Sequence, residues 1–295
     1  MMAYELFFRA TDGEISLVMF QNYFKKHPHY RVVGPEAIYE NENTEARFVF
    51  RYMHMNGEGS RNVRPEGTYR ISLSVDYCVP TFFIVEALYE VNTLIDETKV
   101  VIYDPQPDGV GTGLYNGEKM FESWMIQNES AIRQLAREES WKEDDQILVS
   151  YEWMQKLWDW NYGKPVMQER VGQSVYVPTA RIYYDGKNTK VGIVWENGRP
   201  IAMPNVDLVT IARYRQGGGE LEYCTVEYEA IEGFVRKYCS HTVGDAYVMS
   251  YDGVPEDIKI FIANAKHNDS FMKVSIDQIL EDEVVEDSLY PNGKA

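Results

Sequence analysis

Residues 67–105 read GTYRISLSVDYCVPTFFIVEALYEVNTLIDETKVVIYDP. Two changes of period occur within this stretch. Tyr69, Ile71, Leu73, Val75 and Tyr77 alternate with polar residues, the pattern of a strand with one buried face. After Pro80, TFFIVEALYEVNTLID changes to helical recurrence, with Thr81 placed as its cap. KVVIYDP then returns as a short, nearly continuous apolar strand.

Toward the N-terminus the same alternation continues. AYELFFRA reads as a strand, and GEISLVMFQNYFKKHPHY places Ile15, Val18, Met19 and Tyr23 on one helical face, ending at Pro28. YRVVGPEAIYENENTEARFVFRYMH reads as two strands about the polar turn ENENTE. Strand, helix, three strands, helix and strand in that order imply an α+β sandwich related to the split βαβ layout. Helices on one sheet face leave the other available. The loop NGEGSRNVRPEG, with two arginines, is the locally basic spot of this half; it reads as a solvated loop, with an anion site as its alternative.

Toward the C-terminus, residues 118–139 form a helical pattern through Met120, Phe121, Trp124, Met125, Ile132 and Leu135. A second helix follows, with Trp153, Trp158 and Trp160, as a joint whose tryptophans tie the halves together. After Val171 the pattern changes to hairpins, with Asp185-Gly186 and Asn197-Gly198 as turn signals. TVEYEAIEGFVRKYC reads as an amphipathic helix, GDAYVMSYDG as a strand and VPEDIKIFIANAKHN as a final helix. The fold expected is α+β: two mixed lobes with mainly antiparallel sheets joined by a central helical segment. The boundaries are an N-terminal lobe at 1–117, a Trp-rich helical joint at 118–170, and a hairpin lobe with an acidic tail at 171–295.

Composition narrows the function classes. The 295 residues carry a formal net charge of −17 and 44% hydrophobic side chains, too apolar for a disordered chain. Acid is spread over both halves, net −10 in residues 1–150 and −7 in 151–295. Such a chain repels nucleic acid and anionic membranes, because phosphate binding needs clustered Lys and Arg. No apolar run reaches the length of a membrane span. Cys78, Cys224 and Cys239 have unrelated spacings and read as reduced thiols, and no secretory leader is visible, so a cytoplasmic protein is expected. Twenty-two tyrosines against twelve phenylalanines suit sheet rims and contact surfaces.

Chemistry-bearing motifs are sparse. DPQPDGVGTGLYNGEK, residues 104–119, offers four glycines before a helix, a possible phosphate cradle. Its spacing matches neither the dinucleotide fingerprint nor the P-loop, and Asp104 and Asp108 would repel phosphate. His27 and His29 flank Pro28 with no third metal ligand nearby in sequence, so no metal and no cofactor is assigned. His54, His241 and His267 are isolated. Cys224 and Cys239 read as buried thiols. The acidic pairs Glu138-Glu139, Asp144-Asp145 and Asp96-Glu97 read as solvated faces.

The last residues, ILEDEVVEDSLYPNGKA, add Glu281, Asp282, Glu283, Glu286 and Asp287 to an already acidic chain. Two compatible readings are a segment docked by its apolar residues with carboxylates in solvent, and an acidic arm meeting a basic partner. The leading expectation is a non-catalytic acidic binding protein. Its concrete form is a bacterial immunity-type inhibitor covering a basic toxin or other basic protein, with these five carboxylates, Asp104 and Asp108 at the contact. The alternatives are an enzyme acting on a small molecule in a cleft between the two lobes near the glycine-rich turn at 104–117, and an assembly component.

Overall fold

The computed structural model describes residues 3–54, 63–64, 67–135, 146–214, 221–266, 268 and 270–289, of which 63–64 and 286–289 by backbone alone. The fold is α+β with several mainly antiparallel sheets. Contacts divide the chain into two compact units, residues 1–151 with 279–295, and residues 152–278.

The first unit runs β1 (Ala3–Ala10), α1 (Leu17–Phe24), β2 (Tyr30–Val33), β3 (Glu36–Glu40), β4 (Arg47–Tyr52), the short pair β5 (Val63–Arg64) and β6 (Gly67–Thr68), then β7 (Ile71–Asp76), α2 (Phe82–Thr98), β8 (Val100–Tyr103), β9 (Thr112–Gly113), α3 (Gly117–Leu135) and β10 (Ile147–Val149). Its seven-stranded sheet has the order β2-β3-β4-β7-β1-β8-β9. β1 pairs antiparallel with both β7 and β8, so β7 and β8 run parallel to one another with β1 between them. The stretch at 67–105 is therefore a split β-α-β unit, closed by α2.

One face of the sheet makes the core. Tyr4, Leu6, Phe8, Phe50, Leu73 and Ile102 are fully buried, and α2, which packs on β4, β7 and β8, buries Phe83, Ala87, Val91 and Leu94. Area buried by side chains of this size is worth about 1.5–3 kcal/mol each. The strand itself starts at Ile71, two residues later than the alternation suggests. Tyr69 leaves the ladder but is still fully buried, its ring 5.7 Å from that of Tyr103.

The second unit contains α4 (Tyr151–Tyr162, from its second residue), α5 (Lys164–Val171), β11 (Arg181–Tyr184), β12 (Thr189–Glu196), β13 (Ile201–Met203), β14 (Leu208–Tyr214), β15 (Leu221–Glu227), α6 (Glu229–Tyr238), β16 (Cys239–Val243), β17 (Ala246–Met249), α7 (Glu256–Asn264) and β18 (Met272–Lys273). It holds a five-stranded sheet, β15-β14-β12-β11-β18, and a three-stranded one, β13-β17-β16. Asp185-Gly186 makes the β11–β12 hairpin, with the Asp185 carboxylate accepting the amides of Lys187 and Asn188. Asn197-Gly198 does turn the chain, both residues at positive φ, but it does not make a hairpin. It sends the chain into the other sheet, where β13 pairs with β17. A Cβ on Gly198 would lie 2.8 Å from side-chain carbons of Ile258 and Ile262, so packing as well as φ requires glycine here. The helix expected from Thr225 starts at Glu229, because Thr225 and Val226 are held in β15 by β14.

The chain then returns through β19 (Ile279–Glu281) and α8 (Asp282–Leu289). β19 pairs in parallel with β10, and Leu280, Val284 and Val285 pack with Ile132. This corrects the three-part division. The tail belongs with the first unit, and the helical stretch is split, α3 to the first unit and nearly all of α4–α5 to the second. The tryptophans follow that split: Trp124 is buried in the first unit, whereas Trp160 packs against the Val175 cluster of the second and donates Nε1–H to Pro178 O at 3.0 Å.

Candidate functional site

The carboxylates singled out from sequence are, where described, mostly engaged inside the first unit. Glu281 is 4% exposed and accepts the Thr81 amide at 3.0 Å and the Thr81 hydroxyl. Thr81 stands at the start of α2, but its side chain does not cap the helix; it donates to the tail. Glu281 thus places a carboxylate at the positive end of α2, with donors that satisfy it. Burial pushes its carboxyl above the ordinary value, while the Thr81 bonds oppose that rise. Two residues on, Glu283 accepts the amide of Tyr151, the first residue of α4, at 2.7 Å. A hydrogen bond shared with Asp282 and the Tyr151 amide hold Glu283 below its ordinary value, with its small burial opposing. Asp282 is half-buried and accepts the Glu283 amide. Glu286 and Asp287 lie on α8, and their side chains are outside the described residues. The picture of an acidic arm projecting from Glu281 is therefore corrected: its first carboxylate points inward because α2 presents donors to it.

The glycine-rich turn closes on its own anion. Asp104, 2% exposed, accepts from the Tyr4 hydroxyl at 2.5 Å and from the amides of Gln106 and Val110 at 3.0 Å each. The amides of Asp104 and Gly109 go to Gly111 O and Gln106 O. A Cβ on Gly109 would fall on the Asp104 carboxylate, which explains glycine at that position. Backbone donors that a phosphate would require are therefore turned to Asp104. Burial, then Asp104, push the Tyr4 hydroxyl far above its usual value. Asp108 stays exposed.

A third internal carboxylate gave no sequence signal beyond interrupting an apolar run. Glu86, 1% exposed on α2, accepts from the Tyr39 hydroxyl at 2.7 Å and Asn41 Nδ2 at 3.0 Å. One turn on, Glu90 accepts from Tyr30 at 2.9 Å, and burial raises its carboxyl. His27 lies 3.3 Å from Glu97 with its ring against Tyr23, while the exposed His29 has a left-handed backbone. The two histidines are thus engaged separately, and among the described residues no group of three potential ligands converges. In the second unit, Cys224 is buried as expected but Cys239 only partly. Cys239, Ser240 and His241 border a 490 Å³ concavity. Ser240 Oγ lies 3.1 Å from Val248 O and 2.9 Å from His241 Nδ1. The single Ser240 hydroxyl proton serves either the Val248 carbonyl or the His241 ring, according to the tautomer of His241. The basic loop at 56–67 lies mostly outside the described residues, as do Glu138-Glu139, Asp144-Asp145 and His267.

What remains is the sheet face opposite the core in the first unit. Strand register lines up Arg31, Ile38, Val49, Ser74 and Glu5 across β2, β3, β4, β7 and β1. The adjacent row is Val33, Glu36, Arg51, Ser72 and Phe7. The small residues Ala3 and Ser74, bordered by Arg47, Arg51, Glu5 and Asp76, leave a concavity of about 620 Å³. Arg51 is paired with Glu36 at 2.9 Å and Arg31 with Glu40 at 4.0 Å. Glu5 is exposed and Asp76 half-buried, and no described cation lies within ion-pair distance of either. They sit on neighbouring strands, where Ala3 faces Asp76 and Glu5 faces Ser74. Alternation in β7 implied that Ser74 and Asp76 face outward; the recess they form with Ala3 and Glu5 required the register.

No family model, curated protein or solved structure matches the chain. No described helix is long and apolar enough to cross a membrane.

Proposed function

We propose that the chain is a non-catalytic binding protein that receives a basic protein on the open sheet face of its first unit. The observation that carries this reading is the recess at Ala3 and Ser74, with Glu5 and Asp76 lacking a described cation while the arginine–glutamate pairs beside them are closed. A cationic side chain of a partner completes the pair that the fold leaves open, and Ile38 and Val49 supply apolar contact beside it. The net charge of −17 steers such a partner from a distance. An immunity-type inhibitor is the concrete form, its carboxylates taking positions that phosphates occupy on a basic nuclease toxin. The carboxylates carrying that role are Glu5 and Asp76; Glu281 and Asp104 serve the fold.

The test compares the wild-type chain with E5R/D76R in pull-downs from native lysate at low and high salt. The expected result is a basic protein retained by the wild type at low salt, and lost both at high salt and in the variant. Retention of no protein under either condition overturns the proposal.

A further inference from the structure

The recess on the open face is a trough along β7, and its two sides differ in charge. The outward residues of β7 are Ser72 and Ser74, short side chains that form a floor. On one side stands β4, with Arg51 opposite Ser72 and Val49 opposite Ser74; Arg47, two residues before Val49, shares that face. On the other stands β1, with Phe7 opposite Ser72, Glu5 opposite Ser74 and Ala3 opposite Asp76. Arg47, Arg51, Glu5 and Asp76 all border the concavity of about 620 Å³. One wall carries arginines, the other a carboxylate, and a second carboxylate ends the floor.

The two sides are not equally satisfied. Arg51 is closed by Glu36 at 2.9 Å, and Arg47 is engaged as well. Glu5 and Asp76 have no described cation within ion-pair distance. Asp76 lies two residues beyond the partner of Glu5, so the two are diagonal neighbours on one face, roughly 7 Å apart at the backbone. A planar group between them can meet both carboxylates. Guanidinium donates N–H from two edges at once and sheds water more readily than an ammonium, which is a compact, strongly hydrated charge. We infer that the trough over β7 receives an arginine side chain of the protein partner, its guanidinium held between Glu5 and Asp76 and its stem lying on Ser74 beside Val49. This rests on the binding reading above. The local carboxylate pair and the short floor select the occupant: the floor admits a long, flat side chain, and Val49 covers its apolar stem.

The test titrates the full, nitrogen-15-labelled chain with the blocked tripeptide alanine-arginine-alanine and with its lysine and citrulline counterparts. The arginine peptide is expected to shift the backbone amides of Glu5, Ser74 and Asp76. The lysine peptide should bind roughly tenfold more weakly or worse, for want of one charge-assisted hydrogen bond. Citrulline, flat but uncharged, should give no shift. In E5Q/D76N the response to arginine should vanish while the melting curve stays in place, because neither carboxylate has an internal cation to lose. Equal affinity for arginine and lysine overturns the inference, and so does an unchanged response in E5Q/D76N or a shift confined to other residues. Tighter binding of free arginine than of the peptide also overturns it, in favour of a small-molecule site. No response to any peptide, from a chain that retains a basic protein in the pull-down, overturns the arginine and leaves the binding reading standing. Retention of no protein removes the binding reading, and the arginine with it.

Discussion

Glu281 and Glu5 are both strand glutamates of the first unit, and they have opposite fates. Glu281 is buried against the start of α2 with the Thr81 amide and hydroxyl as donors. Glu5 stands on the open sheet face with no described cation within ion-pair distance. A carboxylate taken from water must recover its hydrogen bonds from the protein, and only the first position offers them. The contrast teaches that negative charge in this chain has two fates, joining distant segments and standing open to solvent, and that donor geometry sorts the two.

The sharpest way to break the contrast is Glu281→Ala. It orphans two buried donors at the start of α2 and should cost about 3 kcal/mol in chemical denaturation. A loss within experimental error would mean that the tail is not held by Glu281. Gly109→Ala comes next. Its Cβ must displace the Asp104 carboxylate from the turn, and a loss of about 2 kcal/mol is expected; a neutral effect would show the turn to be looser than described. The third expectation concerns pH. Burial raises Glu281, so its contribution is full below the ordinary carboxylate value and is lost as pH rises through the folded value. The stability of the wild type relative to Glu281→Gln should therefore grow as pH falls from neutral through that window, then level off. A pH-independent difference would contradict the burial account. The smallest effect belongs to the other side of the comparison: Glu5→Gln should change stability by less than about 0.5 kcal/mol. A larger loss would show that Glu5 has an internal role too.

The elements at 67–105 were legible because each is recorded in local period. Alternation marked β7, helical recurrence marked α2, and an apolar run marked β8. Their arrangement as a split β-α-β unit also followed from element order, since short connections and few layer architectures restrict the choices. Boundaries moved where tertiary contacts competed with the local pattern. Tyr69 left its strand to pack on Tyr103, and Thr225 and Val226 joined β15 instead of the helix. For the candidate site, period placed Ser74 on the face opposite Leu73 and Val75, away from the core. It did not show that β2, β3, β4, β7 and β1 bring outward residues into rows, because strand order is set by pairings between segments far apart in the chain.

By itself the sequence determined the acidic balance, the α+β class and most of the secondary structure, because charge and hydrophobic period are properties of neighbouring residues. Tertiary structure alone decided which carboxylates were available. Asp104 is held by Tyr4, 100 residues away, and Glu281 by Thr81, 200 residues away. The pKa, exposure and role of such a group depend on donors that the chain brings to it only after folding, and no local pattern records them.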